Sequence, residues 1–162
     1  MWRANIIEIL KLGVSIVVCQ LAGFVDSLFT TPSIPTWYAT INKPSFTPPN
    51  SIFGPVWTSL FLLMGVSAYL IWRKGITVEN VKIALYIFIA QLVLNVLWSI
   101  LFFGLHSPFY AFIEIIILWL VILATFVSFI KISKPAGILL LPYLIWVAFA
   151  AILNYNLWKL NS

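Results

Sequence analysis

Residues 109–130 read FYAFIEIIILWLVILATFVSFI, a run with a single charge, Glu114. A bilayer core takes about 20 apolar residues per helix, so this stretch is read as a membrane span and not as a soluble helix with one wet face. Four further runs of similar length lie on either side of it, at residues 6–25, 53–72, 83–103 and 136–158, and three of the five carry no charge at all. The joints at 73–82, 104–108 and 131–135 are short, which makes consecutive spans antiparallel neighbours. The composition agrees: 63% of side chains are hydrophobic, 8% are charged and the mean hydropathy is +1.10, outside the range of a soluble domain. The predicted fold is all-α, one domain over residues 1–162, a bundle of five transmembrane helices.

Residues 26–50 break the rhythm. This long first loop carries Pro32, Pro35, Pro44, Pro48 and Pro49 together with Trp37, Tyr38 and Phe46. Prolines reduce backbone freedom and rings anchor, so the segment reads as an ordered lid over one end of the bundle.

The formal charge of +5 has a topological meaning. Arg3, Lys11, Arg73, Lys74, Lys82, Lys131 and Lys134 gather on one face, whereas Lys43 and Lys159 are the basic residues of the other. This is the signature of membrane orientation and not of nucleic-acid binding, and it places the amino terminus in the cytoplasm. Arg3 and Lys11 ahead of an apolar run also resemble a signal peptide, but no convincing small-x-small cleavage site follows, so 6–25 is kept as the first span. Cys19 is the one cysteine; it allows no internal disulfide and reads as core packing.

Polar residues inside the spans narrow the function. Gln91, Asn95 and Trp98 fall at i, i+4 and i+7, on one helix face. Two amides without water need partners, either another helix or a ligand. Tyr143, Trp146, Ala150 and Asn154 repeat the arrangement, with the small Ala150 leaving room for a planar molecule or for close helix contact. Trp57 follows Pro55 at the start of the second span, as an interfacial anchor or as a cavity wall. The chain's 8 Trp are more than a belt requires, which favours some of them lining a cavity. Glu8 and Lys11 are spaced to pair with each other, and Glu114 is left as an isolated intramembrane acid. His106 is the one histidine. No His, Cys or carboxylate cluster suits a metal, and no nucleophile sits with an evident base, which disfavours metal-dependent or hydrolytic catalysis.

Several blocks in order resemble the TspO/MBR family, which comprises the tryptophan-rich sensory proteins and the translocator proteins, or peripheral-type benzodiazepine receptors. They are Trp37-Tyr38, Lys43-Pro44-Ser45-Phe46-Thr47-Pro48-Pro49, Phe53-Gly54-Pro55-Val56-Trp57, Gln91 to Asn95 with Trp98 and Phe102-Phe103, Leu141-Pro142-Tyr143, Trp146, Ala148-Phe149-Ala150 and Leu153-Asn154-Tyr155. The resemblance implies five helices, a homodimer, and a pocket under the first loop that accepts porphyrins, haem and synthetic aromatic compounds. It needs no obligatory cofactor, porphyrin or haem being the ligand. Carried over by position, the ligand-binding residues are Trp37, Tyr38, Lys43, Trp57, Gln91, Asn95, Trp98, Tyr143, Trp146, Ala150 and Asn154.

The implied role is tetrapyrrole sensing, regulation or transport. One alternative is light- and oxygen-dependent porphyrin breakdown, with Trp57 and Trp146 as candidate catalytic residues, and another is sterol or lipid transport. Leu153, Tyr155 and Lys159 fit a loose sterol-contact pattern, although an interfacial anchor explains them as well. The expected location is a bacterial cell membrane, with membrane lipid as a partner and no nucleic acid.

Overall fold

The structure, a computed structural model, describes residues 2–162, with side chains from Asn5 onward; the Arg3 side chain, counted above toward orientation, lies outside the described residues. Long helices dominate: α1 (Trp2–Ser33), α3 (Asn50–Trp72), α4 (Glu79–Ser99), α5 (Pro108–Ile132) and α6 (Lys134–Leu160), with one short turn of helix, α2 (Trp37–Thr40). All five long helices have the length and apolarity to cross a membrane. Their outer faces are apolar and exposed, as in Ile9, Val93 and Ile145, because the surrounding lipid is as apolar as they are. This is an integral, multi-pass membrane protein.

The helices close into a ring in the order α1, α3, α6, α5, α4. Small residues set the closest approaches. A Cβ on Gly65 would lie 2.7 Å from the Ile16 Cα atom, and one on Gly137 would lie 2.6 Å from Ile130 Cβ. The first lets α1 and α3 touch backbone to side-chain base, and the second lets α5 reverse into α6 through Ser133 alone.

At the amino-terminal end, Glu8 pairs with Lys11 at 2.8 Å, as their spacing predicts. It also accepts a hydrogen bond from the Tyr69 hydroxyl at 3.2 Å and faces Arg73 Nε at 3.8 Å, so one carboxylate ties α1 to α3. Cys19 is buried.

Two boundaries differ from the sequence reading. The first span does not stop at Val25: α1 runs on to Ser33 and contains Pro32. Asp26, Ser27, Thr30 and Thr31 end an apolar run without ending a helix, because the Thr30 hydroxyl bonds back to the Asp26 carbonyl at 2.5 Å and the Ser27 hydroxyl to that of Phe24 at 2.6 Å. Pro32 sits in the last turn, where it removes a single backbone bond, the one its N–H would have made to the Leu28 carbonyl, and almost no helix follows for it to disrupt. The loop is therefore confined to residues 34–49. The second difference concerns Pro55. The helix begins at Asn50, so Pro55 falls inside α3 rather than in its first turn.

Near the opposite end, α4 passes into a turn of π-helix, Ile100–Gly104, whose closing bond runs from Leu105 N–H to the Ile100 carbonyl at 2.8 Å. The Phe103 carbonyl accepts instead from the Ser33 hydroxyl at 2.7 Å. Widened turns of this kind survive in membrane helices where neighbouring side chains satisfy the freed backbone.

Candidate functional site

The π-turn and the extended α1 shape the site together. Gln20, Gly23, Ser27 and Thr30 recur every three or four residues and form one face of α1, continued by Thr31 and by Ile34 just past its end. Opposite them stand Trp57 and Phe61 of α3, Trp98 and Ser99 of α4, Phe102 and Phe103 of the π-turn, and Trp146, Ala150 and Asn154 of α6. Together they enclose a cavity of about 390 Å³, within the size range of small-molecule sites. The rotation added by the π-turn brings two consecutive phenylalanines, Phe102 and Phe103, to the wall.

The aromatic wall is interlocked. Trp98 stacks on Phe102 at 5.2 Å between centroids, Phe53 meets Trp146 edge-on at 6.2 Å, and Trp57 contacts both Phe61 and Tyr143. Such edge and offset arrangements fix ring planes as well as burying area. Two of the wall's polar groups are already engaged. The Trp98 indole N–H donates to Asn154 Oδ1 at 2.9 Å, and the Asn154 amide donates to the Pro108 carbonyl at 2.8 Å. Asp26 is different: it lies on the wall, is only 9% exposed, and its Oδ1 has no hydrogen-bond partner.

The loop is packed down over this end. Trp37 stacks on His106 at 4.6 Å, Tyr38 packs on Phe102 and Phe103, and Phe46 reaches Phe149 of α6. Asn42 and Asn161 exchange backbone and side-chain hydrogen bonds of 2.9 Å in both directions, tying the loop to the end of α6. Lys43 Nζ lies 4.6 Å from the centre of the Tyr38 ring and donates to the Ile41 carbonyl at 3.1 Å. Burial pushes the Tyr38 phenol up from its usual pKa.

Six of the eleven ligand-binding candidates therefore meet on one wall: Tyr38, Trp57, Trp98, Trp146, Ala150 and Asn154. The other five lie off it. Trp37 and Lys43 belong to the loop's outer packing. Gln91, Asn95 and Tyr143 form a buried cluster deeper in the bundle: the Asn95 amide donates to the Tyr143 hydroxyl at 2.8 Å, which donates to Gln91 Oε1 at 2.8 Å. Of the sterol-pattern residues, Leu153 lines the cavity, Tyr155 packs against Phe112 and Trp158 on the outside, and Lys159 lies over the Trp158 ring. Sequence reasoning missed the α1 wall, Asp26 included, and it matched Phe102-Phe103 to the family without assigning them to the site. The α1 residues were legible as a helical period of small and polar residues running past Asp26.

A model of the TspO/MBR family matches residues 15–159. The chain belongs to the TspO/MBR family. Among curated members it is 46% identical to the tryptophan-rich protein TspO of Archaeoglobus fulgidus, over 96% of this chain and 99% of that one. It is 41% identical to TspO of Chlorobaculum tepidum over 95% and 98%, and 37% identical to the translocator protein of Homo sapiens over 88% and 85%. The matched region of this TspO/MBR chain includes every wall of the cavity, from Gln20 to Leu157.

Proposed function

We propose that this TspO/MBR protein binds a flat, mostly apolar tetrapyrrole of the porphyrin or haem type in the cavity beneath residues 34–49, for sensing, regulation or transport. The observation that carries this reading is the convergence of Trp57, Trp98 and Trp146 on one wall with Phe53, Phe61, Phe102 and Phe103. Indole and phenyl faces offer stacking area to a planar ring without demanding hydrogen bonds from it. The segment 34–49 acts as the lid, opening to admit the ligand, and Lys43 supplies a positive charge for an acidic edge. The protein sits in a cell membrane with its amino terminus cytoplasmic, by the bias of basic residues.

Titration of protein in lipid nanodiscs with protoporphyrin, followed by tryptophan quenching, tests the reading. Saturable binding is expected, weakened about tenfold or more in Trp146→Ala, which removes a buried aromatic wall. Non-saturable quenching, or equal affinity in Trp146→Ala, would refute it.

A second reading is favoured by the position of Trp57 and Trp146 on the same wall: a bound pigment excited by light has oxidisable indoles beside it. Illumination of the complex in air with analysis of the pigment distinguishes turnover from binding. Loss of pigment conversion in Trp57→Phe and Trp146→Phe variants that still bind would favour the enzyme.

A further inference from the structure

Among the described residues, the cavity wall holds one carboxyl group, Asp26, and no Lys, Arg or His. Asp26 sits between Gly23 and Ser27 on the lining face of α1, is nine-tenths buried, and its Oδ1 is left without a partner. Its neighbours on the wall are apolar rings and hydroxyls. The two nearest hydroxyls on the same helix are spent on backbone carbonyls, Ser27 on that of Phe24 at 2.6 Å and Thr30 on that of Asp26 at 2.5 Å. An unpaired buried carboxyl group is costly to keep charged, and the cost falls when it takes up a proton or when a hydrogen-bond donor or a cation arrives. Ser99 of α4 faces the carboxyl with a hydroxyl, but no basic residue among the described residues of the wall offers a cation, so a cationic counterpart comes from the cavity's occupant.

We propose that Asp26 is a specificity residue: among flat apolar molecules, it selects those that present a protonated amine or another nitrogen-borne hydrogen to the α1 wall, and it rejects those that present a carboxylate there. This rests on the reading of the cavity as an aromatic ligand site. An N–H donor reaching the Asp26 carboxyl group from the cavity makes a charge-assisted hydrogen bond in a largely apolar, low-dielectric surrounding, where such bonds are strongest. A carboxylate in the same position would bring its negative charge beside an acid, on a wall that offers it no counter-ion among the described residues. A molecule carrying both kinds of group is therefore oriented by Asp26: nitrogen toward α1, acidic edge toward the loop, where Lys43 lies.

Three tricyclic probes of one shape test this: 9-aminoacridine, acridine and acridine-9-carboxylate, at a pH where they are cation, neutral and anion. Binding to the full chain in zwitterionic nanodiscs is measured by calorimetry, with empty nanodiscs subtracted, and protoporphyrin is titrated alongside. The cation is expected to bind roughly ten- to a hundredfold tighter than acridine, the span of one hydrogen bond to a charged group, and the anion most weakly. In Asp26→Asn the ratio of cation affinity to acridine affinity falls toward one. Asp26→Ser provides a second variant should the first fail to fold, and the order of the three probes on the unaltered protein is a test needing no variant. Saturable protoporphyrin binding with no preference for the cation, or a preference that persists without the Asp26 carboxyl, would overturn the assignment of Asp26 alone. Absence of saturable binding by all four compounds would overturn the ligand site itself, and the role of Asp26 with it.

Discussion

Two buried polar residues inside the bundle show what a side chain's surroundings do to its worth. Tyr143, fully buried, accepts from Asn95 and donates to Gln91, so three polar groups on α4 and α6 satisfy one another. Tyr143→Phe leaves both amides short of a partner and should cost about 0.5–2 kcal/mol, the range of interhelical hydrogen bonds in membranes; thermal unfolding in detergent reads this. Glu114 is the opposite case, 5% exposed with neither carboxyl oxygen bonded. Glu114→Met keeps the volume and removes the unpaired acid, and should raise stability by about 1–3 kcal/mol; an unchanged or lowered unfolding midpoint would mean that Glu114 has a partner. The spacing of Gln91, Asn95 and Trp98 was legible as one polar face. Whether that face meets a helix or a cavity is not written in spacing, and the answer is divided: Trp98 reaches the wall, and the two amides meet Tyr143.

At the scale of the element, α1 was the least legible helix and matters most to the cavity. Its apolar run ends at Asp26 while its backbone continues to Ser33, because hydroxyls bonded to carbonyls one turn back let polar residues remain helical. Its packing on α3 depends on Gly65. Gly65→Ala would press a Cβ to 2.7 Å from the Ile16 Cα atom, where no side chain can rotate away. The expected loss is about 1–3 kcal/mol, and an unfolding midpoint equal to that of the unaltered protein would show that α1 yields. The loop's order rests on different bonds. Asn161→Ala removes both 2.9 Å bonds to Asn42, so limited proteolysis within 34–49 should quicken while the bundle's unfolding midpoint moves by about 1 kcal/mol or less. Equal cleavage rates would assign the loop's order to Trp37, Tyr38 and Phe46 instead.

For the molecule as a whole, orientation can be read with one reagent, because Cys19 is only 1% exposed and should stay silent. Lys134→Cys and Ser162→Cys place thiols at exposed positions on opposite ends of the bundle. A membrane-impermeant maleimide applied to intact cells should label Ser162→Cys, and Lys134→Cys only after permeabilisation; the reverse pattern would invert the proposed topology. The number of spans, their antiparallel order and the sidedness of the basic residues were determined by the sequence alone. Each follows from a local quantity, the length of an apolar run or the charge of a short joint, and the bilayer reads these without reference to the rest of the chain. The ring order of the helices, the π-turn that aims Phe102 and Phe103, and the placing of Asp26 on an aromatic wall were decided only by tertiary structure. Lipid gives no hydrophobic preference among apolar faces, so which faces meet depends on where small residues permit close approach and where polar groups find partners, and both are properties of pairs of helices.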